Sequence, residues 1–283
     1  MNALELSAAY KHCRRLAFGH YENFPVASAL LPRPQRDAIA AIYAFARQAD
    51  DFSDEPKYAG DRVRLLKEWR ARLGRDPAGD PVFTALADAR RRWKLPTALL
   101  ADLVRAFLQD CGRRRYDSFD ALLGYCRLSA NPVGRLVLRV FDRDSPEALR
   151  ASDDICTALQ LANHWQDLAS DAQVRDRIYL PGNEMKRFKV DQGQLKQGRW
   201  SPGLGQLLRL QVDRAEALFA SGQDLPGRMP GRLGLELRLT VLGGRAILRK
   251  IREQGYDTLS RRPRLGVRDA PGLLLGGLLG RTA

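Results

Sequence analysis

The chain has 283 residues, 45% of them hydrophobic, with 47 Lys and Arg against 33 Asp and Glu, for a formal net charge of +14. Its length and apolar share support a sizeable core, and 28% charged residues without a dominant repeat exclude a disordered or fibrous chain. The positive excess, mostly arginine, admits nucleic acid, an anionic membrane surface or a phosphorylated ligand as partner, or simply a solvated Arg-rich surface.

Strand signals are scarce and helical spacing recurs, so the expected class is all-α. In chain order, a first helix is expected over Ala3 to about Ala17. HYENFPVASALLPRP reads as a connection, because Pro25, Pro32 and Pro34 interrupt a regular helix. A helix from about Gln35 runs into an acidic stretch. Further helices are expected near 61–73, 81–93, 96–111 and 119–128. The triplets Arg90 to Arg92 and Arg113 to Arg115 follow helical runs, where they suit C-terminal dipoles. A long helix spans about Pro146 to Asp171, with Ser145 as N-cap. About 172–203 reads as a long irregular stretch, of the kind that is functional or mobile. Helices resume near 204–220 and 232–254.

No composition shift marks a boundary, so a single domain over 1–283 is expected. Its end, about 270–283, holds the apolar, Gly-rich APGLLLGGLLG, which is too short to span a bilayer. That end is open to three readings: a membrane-surface contact, a flexible tail or a core-packed segment. Cys13, Cys111, Cys126 and Cys156 are scattered without a CxxC pair, which points to a reduced cytoplasmic chain. His12, His20 and His164 lack metal-site spacing, and no signal-peptide order is present.

The chemistry sits in two acidic stripes. In YAFARQADDFSDE, Arg47, Asp50 and Asp54 are three and four residues apart behind Ile42, Tyr43 and Phe45, with Asp51 and Glu55 beside them. If the helix continues, Asp50 and Asp54 share one face, and Asp51 and Glu55 another. In LQLANHWQDLASD, Gln160, Asn163, Asp167 and Asp171 form a second stripe on a helix apolar on its other sides. Interior carboxylates need a compensating cation. Carboxylate and amide oxygens are hard ligands suited to Mg²⁺ or Mn²⁺, and Mg²⁺ so held keeps positions that phosphates usually fill. Arg47 would contact the same phosphate. One such cluster is weak, since a solvated helix end looks the same; two on separate core-like helices point to metal–diphosphate binding. A nucleic-acid reading rests on net charge alone, because no base-stacking basic face or known motif appears.

These residues resemble the paired Asp-rich motifs of the squalene/phytoene synthases, the head-to-head branch of all-α isoprenoid synthases. The resemblance extends to LLP (30–32), YCRLSANPVG (125–134), RIYLP (177–181) and GYDTLSRRPRLG (255–266), in the expected order over nearly the whole chain. ENFPVAS (22–28) and the Trp165 of NHWQD are similar to the hydroxysqualene-forming branch. Members that condense two prenyl diphosphates usually carry a Ser-Phe-x-x-Ala-type element at the first stretch and Arg where this chain has Gln166.

The resemblance implies a helical bundle around a central cavity, with the two Asp-rich helices facing across Mg²⁺. Asp50, Asp54, Asp167 and Asp171 would be the principal ligands, with Asn163 and Gln160 in the same network and Asp51 and Glu55 supporting. Arg47 and Arg177 would contact diphosphate, with Arg261 and Arg262 as weaker candidates, and Tyr179 would order a closing loop. Tyr43, Tyr125 and Phe24 would stabilise a carbocation through their ring faces. The implied substrate is presqualene diphosphate with capture by water, and the alternative is condensation of two molecules such as farnesyl diphosphate. No NADPH is expected. Peripheral contact at the inner face of the membrane, association with neighbouring pathway enzymes and a non-catalytic subunit role stay open.

Overall fold

The structure is a computed structural model, and it describes residues 3–19, 31–77 and 79–280. In chain order the helices are α1 (Ala3–Gly19), α2 (Arg33–Asp54), α3 (Arg62–Ala71), α4 (Pro81–Trp93), α5 (Thr97–Gly112), α6 (Phe119–Ser129), α7 (Asn131–Val140), α8 (Pro146–Gln166) and α9 (Leu168–Gln173). They continue with α10 (Gly182–Arg187), α11 (Gln192–Lys196), α12 (Pro202–Gly222), α13 (Leu225–Arg228), α14 (Gly231–Glu253) and α15 (Ala270–Leu278). Two short strands, β1 (Arg115–Tyr116) and β2 (Ile178–Pro181), pair in parallel. The all-α expectation holds. The chain gathers into two compact units: residues up to Gly112 with Pro132–Leu149, and Arg113–Asn131 with Arg150 onward.

The first unit is organised around α2. Its apolar face (Ala38, Ile39, Ala41, Ile42, Phe45 and Ala49) is buried among α1, α4 and α5 side chains such as Cys13, Phe83, Leu86, Leu100 and Leu103. Alanines on that face let neighbouring helices approach closely, and each large side chain buried there contributes about 1.5–3 kcal/mol. Phe45 stacks on Trp69 with centroids 5.7 Å apart, and the Trp69 indole N–H donates to the Phe45 carbonyl at 3.2 Å. At the start of α4, the Asp80 carboxylate accepts from the amides of Val82 and Phe83 beside Pro81, a complete N-cap.

In the second unit, α8 is gripped where glycines remove side chains. A Cβ at Gly222 of α12 would lie 2.7 Å from the Ala151 carbonyl oxygen and 2.6 Å from Ile155 Cγ1. A Cβ at Gly244 of α14 would meet Leu159 Cδ2 at 2.7 Å. Ser145 caps α8 as its sequence suggests, with its hydroxyl accepting from the Ala148 amide at 3.2 Å.

Three expectations need correction. The stretch 172–203 is not irregular: it holds β2, α10 and α11, the last closed by an Asp191–Gln194 capping box. The long helix does not run unbroken to Asp171, because α8 ends at Gln166 and Asp167 (φ −100°, ψ 10°) precedes α9. Arg114 and Arg115 do not serve a helix dipole: both pair with Asp176, which also takes Lys196 at 2.8 Å. The apolar end is helical over α15. Among the described residues, no helix is long and apolar enough to cross a membrane.

Candidate functional site

On α2, helical spacing carries the first motif to the end of the helix. Tyr43, Arg47, Asp50, Asp51 and Asp54 are all partly exposed, while the opposite face is core. Arg47 sits one turn before the acids. Its Nη1 is 3.3 Å from Asp50 and its Nη2 is 2.8 Å from Asp51. Burial works against the charge on Arg47, but Asp50 and Asp51 outweigh it and raise its pKa. Arg47 Nε is buried and has no acceptor among the described residues, so one guanidinium donor remains to be satisfied. Ser53 is buried, and its hydroxyl donates to the Asp50 carbonyl and to Asp54 Oδ1 at 2.9 and 3.0 Å. Helix α2 stops at Asp54, and Glu55 is extended (ψ 131°). Glu55 therefore does not share a helical face with Asp51, a correction to the expected second pair. Phe24, His20 and the whole of ENFPVAS lie outside the described residues.

In the second motif, the helix break falls at the first acid. The Asp167 amide still bonds the Asn163 carbonyl, and the Asp171 amide the Asp167 carbonyl, both at 2.9 Å, so Asn163, Asp167 and Asp171 stay in sequence along one side. Asp167 is held at both carboxylate oxygens by Arg262, through Nε to Oδ1 and Nη2 to Oδ2. The neighbouring Gln166 is wholly buried and donates to the Pro263 carbonyl at 2.6 Å. Two consecutive residues thus fasten the Arg262–Pro263 segment to the motif. Arg261 is exposed instead. Asp171 is 9% exposed and takes Arg175 at 3.0 Å. Burial nevertheless pushes its pKa up to about 6, the Asp167 charge adding to burial while Arg175 and Arg177 oppose it.

Behind the motif lies an aromatic cage. Tyr179 of β2 stacks on His164 with centroids 3.6 Å apart, and Tyr125 of α6 tilts against Tyr116, Tyr179 and His164 at 5.6–6.0 Å. Gln160 Nε2 is 3.3 Å from His164 Nε2. Burial, with the Arg177 charge adding to it, lowers the His164 pKa to about 3, so the ring is neutral. Trp165 is fully buried, and its indole N–H finds no acceptor among the described residues. The structure thus brings Gln160, Tyr125, Tyr179 and Arg177 together around the second motif. Sequence reasoning missed His164, Arg175 and the Arg262–Asp167 pair. The only available signal for the last was the basic run RRPR.

Oxygen donors suit a hard divalent cation, and three of the carboxylates (Asp50, Asp51 and Asp167) keep 25–35% of their side-chain surface accessible. Among the described residues, no group of three or more His, Cys, Asp or Glu forms a metal cage. Each motif instead offers carboxylates that are paired with an arginine in this structure, and one or two carboxylates together with substrate phosphates suffice to hold Mg²⁺.

Residues 18–269 match the squalene/phytoene synthase family, and the chain belongs to it: it is an enzyme of the head-to-head isoprenoid synthases. The crystal structure of squalene synthase HpnC from Alicyclobacillus acidocaldarius superposes with a TM-score of 0.83 at 41% identity, covering 90% of this chain and 97% of that one. A hydroxysqualene synthase from Zymomonas mobilis is 33% identical over 255 residues, 88% of this chain and 83% of the relative. A phytoene synthase from Mycobacterium tuberculosis is 34% identical over 229 residues, 78% and 74% of the two chains.

Proposed function

We propose that this chain is a hydroxysqualene synthase acting as one isoprenoid-synthase-like domain. It ionises presqualene diphosphate, the C–O bond breaking with its electron pair leaving on diphosphate. The cyclopropylcarbinyl cation rearranges, and water adds with loss of a proton to give hydroxysqualene. The observation that carries this reading is Gln166. The position is fully buried and built for a neutral amide that donates to Pro263, where condensing members of the family usually carry arginine.

In this reading Asp50, Asp54, Asp167 and Asp171, with Asn163, hold Mg²⁺, and Asp51 supports them. Bound Mg²⁺ supplies Lewis-acid stabilisation of the leaving diphosphate. Arg47, with its unsatisfied Nε–H, and Arg177 donate to the diphosphate oxygens. Tyr43 and Tyr125 present ring faces to the cation, and Tyr179 and Tyr116 enclose Tyr125 so that its ring is held in place. His164 stays neutral and stacks on Tyr179, a polar ring held by Gln160 in an otherwise aromatic wall.

The second reading is a condensing enzyme that uses two prenyl diphosphates such as farnesyl diphosphate, and the phytoene synthase relative at 34% identity favours it. The experiment gives purified protein and Mg²⁺ either presqualene diphosphate or farnesyl diphosphate and identifies products by mass spectrometry. Hydroxysqualene from presqualene diphosphate alone is expected. Consumption of farnesyl diphosphate alone would establish the second reading instead.

A further inference from the structure

Helix α15 is apolar throughout, but its two sides differ in bulk. Its glycines face the protein: a Cβ at Gly277 would lie 2.8 Å from Leu239 Cδ2, and one at Gly276 would lie 3.2 Å from Leu242 Cδ1, both leucines on α14. Leu274, Leu275 and Leu278 of the helix and Leu279 at its C-cap face outward, 54–72% exposed. These four are adjacent, whereas the other exposed large hydrophobic side chains, such as Leu4, Val63, Val133 and Val174, are scattered along the chain. A glycine-in, leucine-out helix gains little by packing on its own protein, and its shape makes sense when something apolar lies on its far side.

Charge identifies the occupant. The segment leading into α15 carries Arg261, Arg264 and Arg268, all exposed. An open cleft lined by Lys250, Glu253, Gln254, Arg261, Arg262 and Arg264 lies at its base. Lys250 also bonds Asp269, the residue that precedes α15, at 3.0 Å, so the basic cleft and the apolar helix are fastened together. Cationic side chains beside a short apolar helix match an anionic bilayer surface, with headgroups at the arginines and acyl chains at the leucines. A second copy of the chain fits poorly. It would bring two arginine-rich surfaces together, and four leucines offer a few hundred Å², short of the roughly 800 Å² per partner in a stable interface.

We infer that α15 and the arginines before it dock this protein on anionic membranes, with the leucine face lying in the interface rather than spanning it. Docking involves none of the residues assigned to the proposed reaction, so the binding measurement itself needs no substrate.

The test is flotation of the full chain with phosphatidylcholine vesicles, with and without phosphatidylglycerol, at low and high salt. The wild type floats with the anionic vesicles, and salt weakens the binding. The double variant Leu275→Asp/Leu278→Asp loses at least about tenfold in partitioning. Arg264→Gln/Arg268→Gln loses several-fold on anionic vesicles and nothing on neutral ones. Circular dichroism and turnover of detergent-dispersed presqualene diphosphate in both variants separate loss of docking from loss of fold or of the proposed activity. Wild type that stays unbound on every vesicle overturns the inference, as does binding indifferent to the leucine changes. A dimer in sedimentation that those same changes dissociate also overturns it, because the face would then be an interface between copies.

Discussion

The two acidic motifs, given one role in the proposed function, are built on different scaffolding. The first is local. Asp50 and Asp51 lie on one unbroken helix, and their countercharge, Arg47, comes from the preceding turn. The second is assembled. The helix breaks at Asp167, whose partner Arg262 lies 95 positions along the chain, and Asp171 is buried deeply enough to resist ionisation. A local motif holds its geometry by helical spacing alone, whereas an assembled one also depends on residues far along the chain.

The largest expected effect treats the motifs as equals. Asp50→Asn and Asp167→Asn each lower turnover by on the order of 10²- to 10³-fold in a diphosphate-release assay, with far-UV circular dichroism unchanged. An active Asp50→Asn protein would break the equivalence.

The next effect separates them. The folded pKa of Asp171 is raised above the ordinary carboxylate value, so its ionisation costs stability. That cost is absent below about pH 4, develops as pH rises, and is complete above about pH 6. Asp171→Asn should therefore stabilise the metal-free protein by about 1–3 kcal/mol at pH 7.5 in urea denaturation, while abolishing turnover. The gain should vanish as pH approaches 4.

A smaller effect tests the long-range strap. Arg262→Ala should cost about 1 kcal/mol, because the pair is partly exposed, and should speed amide exchange over residues 257–264. Arg47→Ala should leave those amides as they were. The smallest effect belongs to Glu55, beyond the end of α2: Glu55→Gln should change turnover by no more than about twofold.

These differences also explain what could be read from the amino acids. The stripes were legible because three- and four-residue spacing is a local signal, and so was the Ser145 cap. The Arg262–Asp167 pair was not, since nothing short-range ties RRPR to NHWQD. Strands of two and four residues, and helices α10 and α11 of six and five, are shorter than the window over which periodicity becomes visible. Gly and basic residues in 172–203 suggested an irregular segment, yet Gln194 and Asp191 form a capping box there. The break at Asp167 left no trace, because no Pro or Gly marks it.

The glycines that grip α8 carry one more consequence. Gly222 closes on the backbone of Ala151 and Gly244 on Leu159, so the seat of the helix that presents Gln160 and Asn163 is defined by two missing methyl groups. A single added carbon at position 222 would act as a wedge against a carbonyl that cannot rotate away. The stripe several residues further on would move with its helix, and turnover would fall through a change at none of the residues assigned to the reaction.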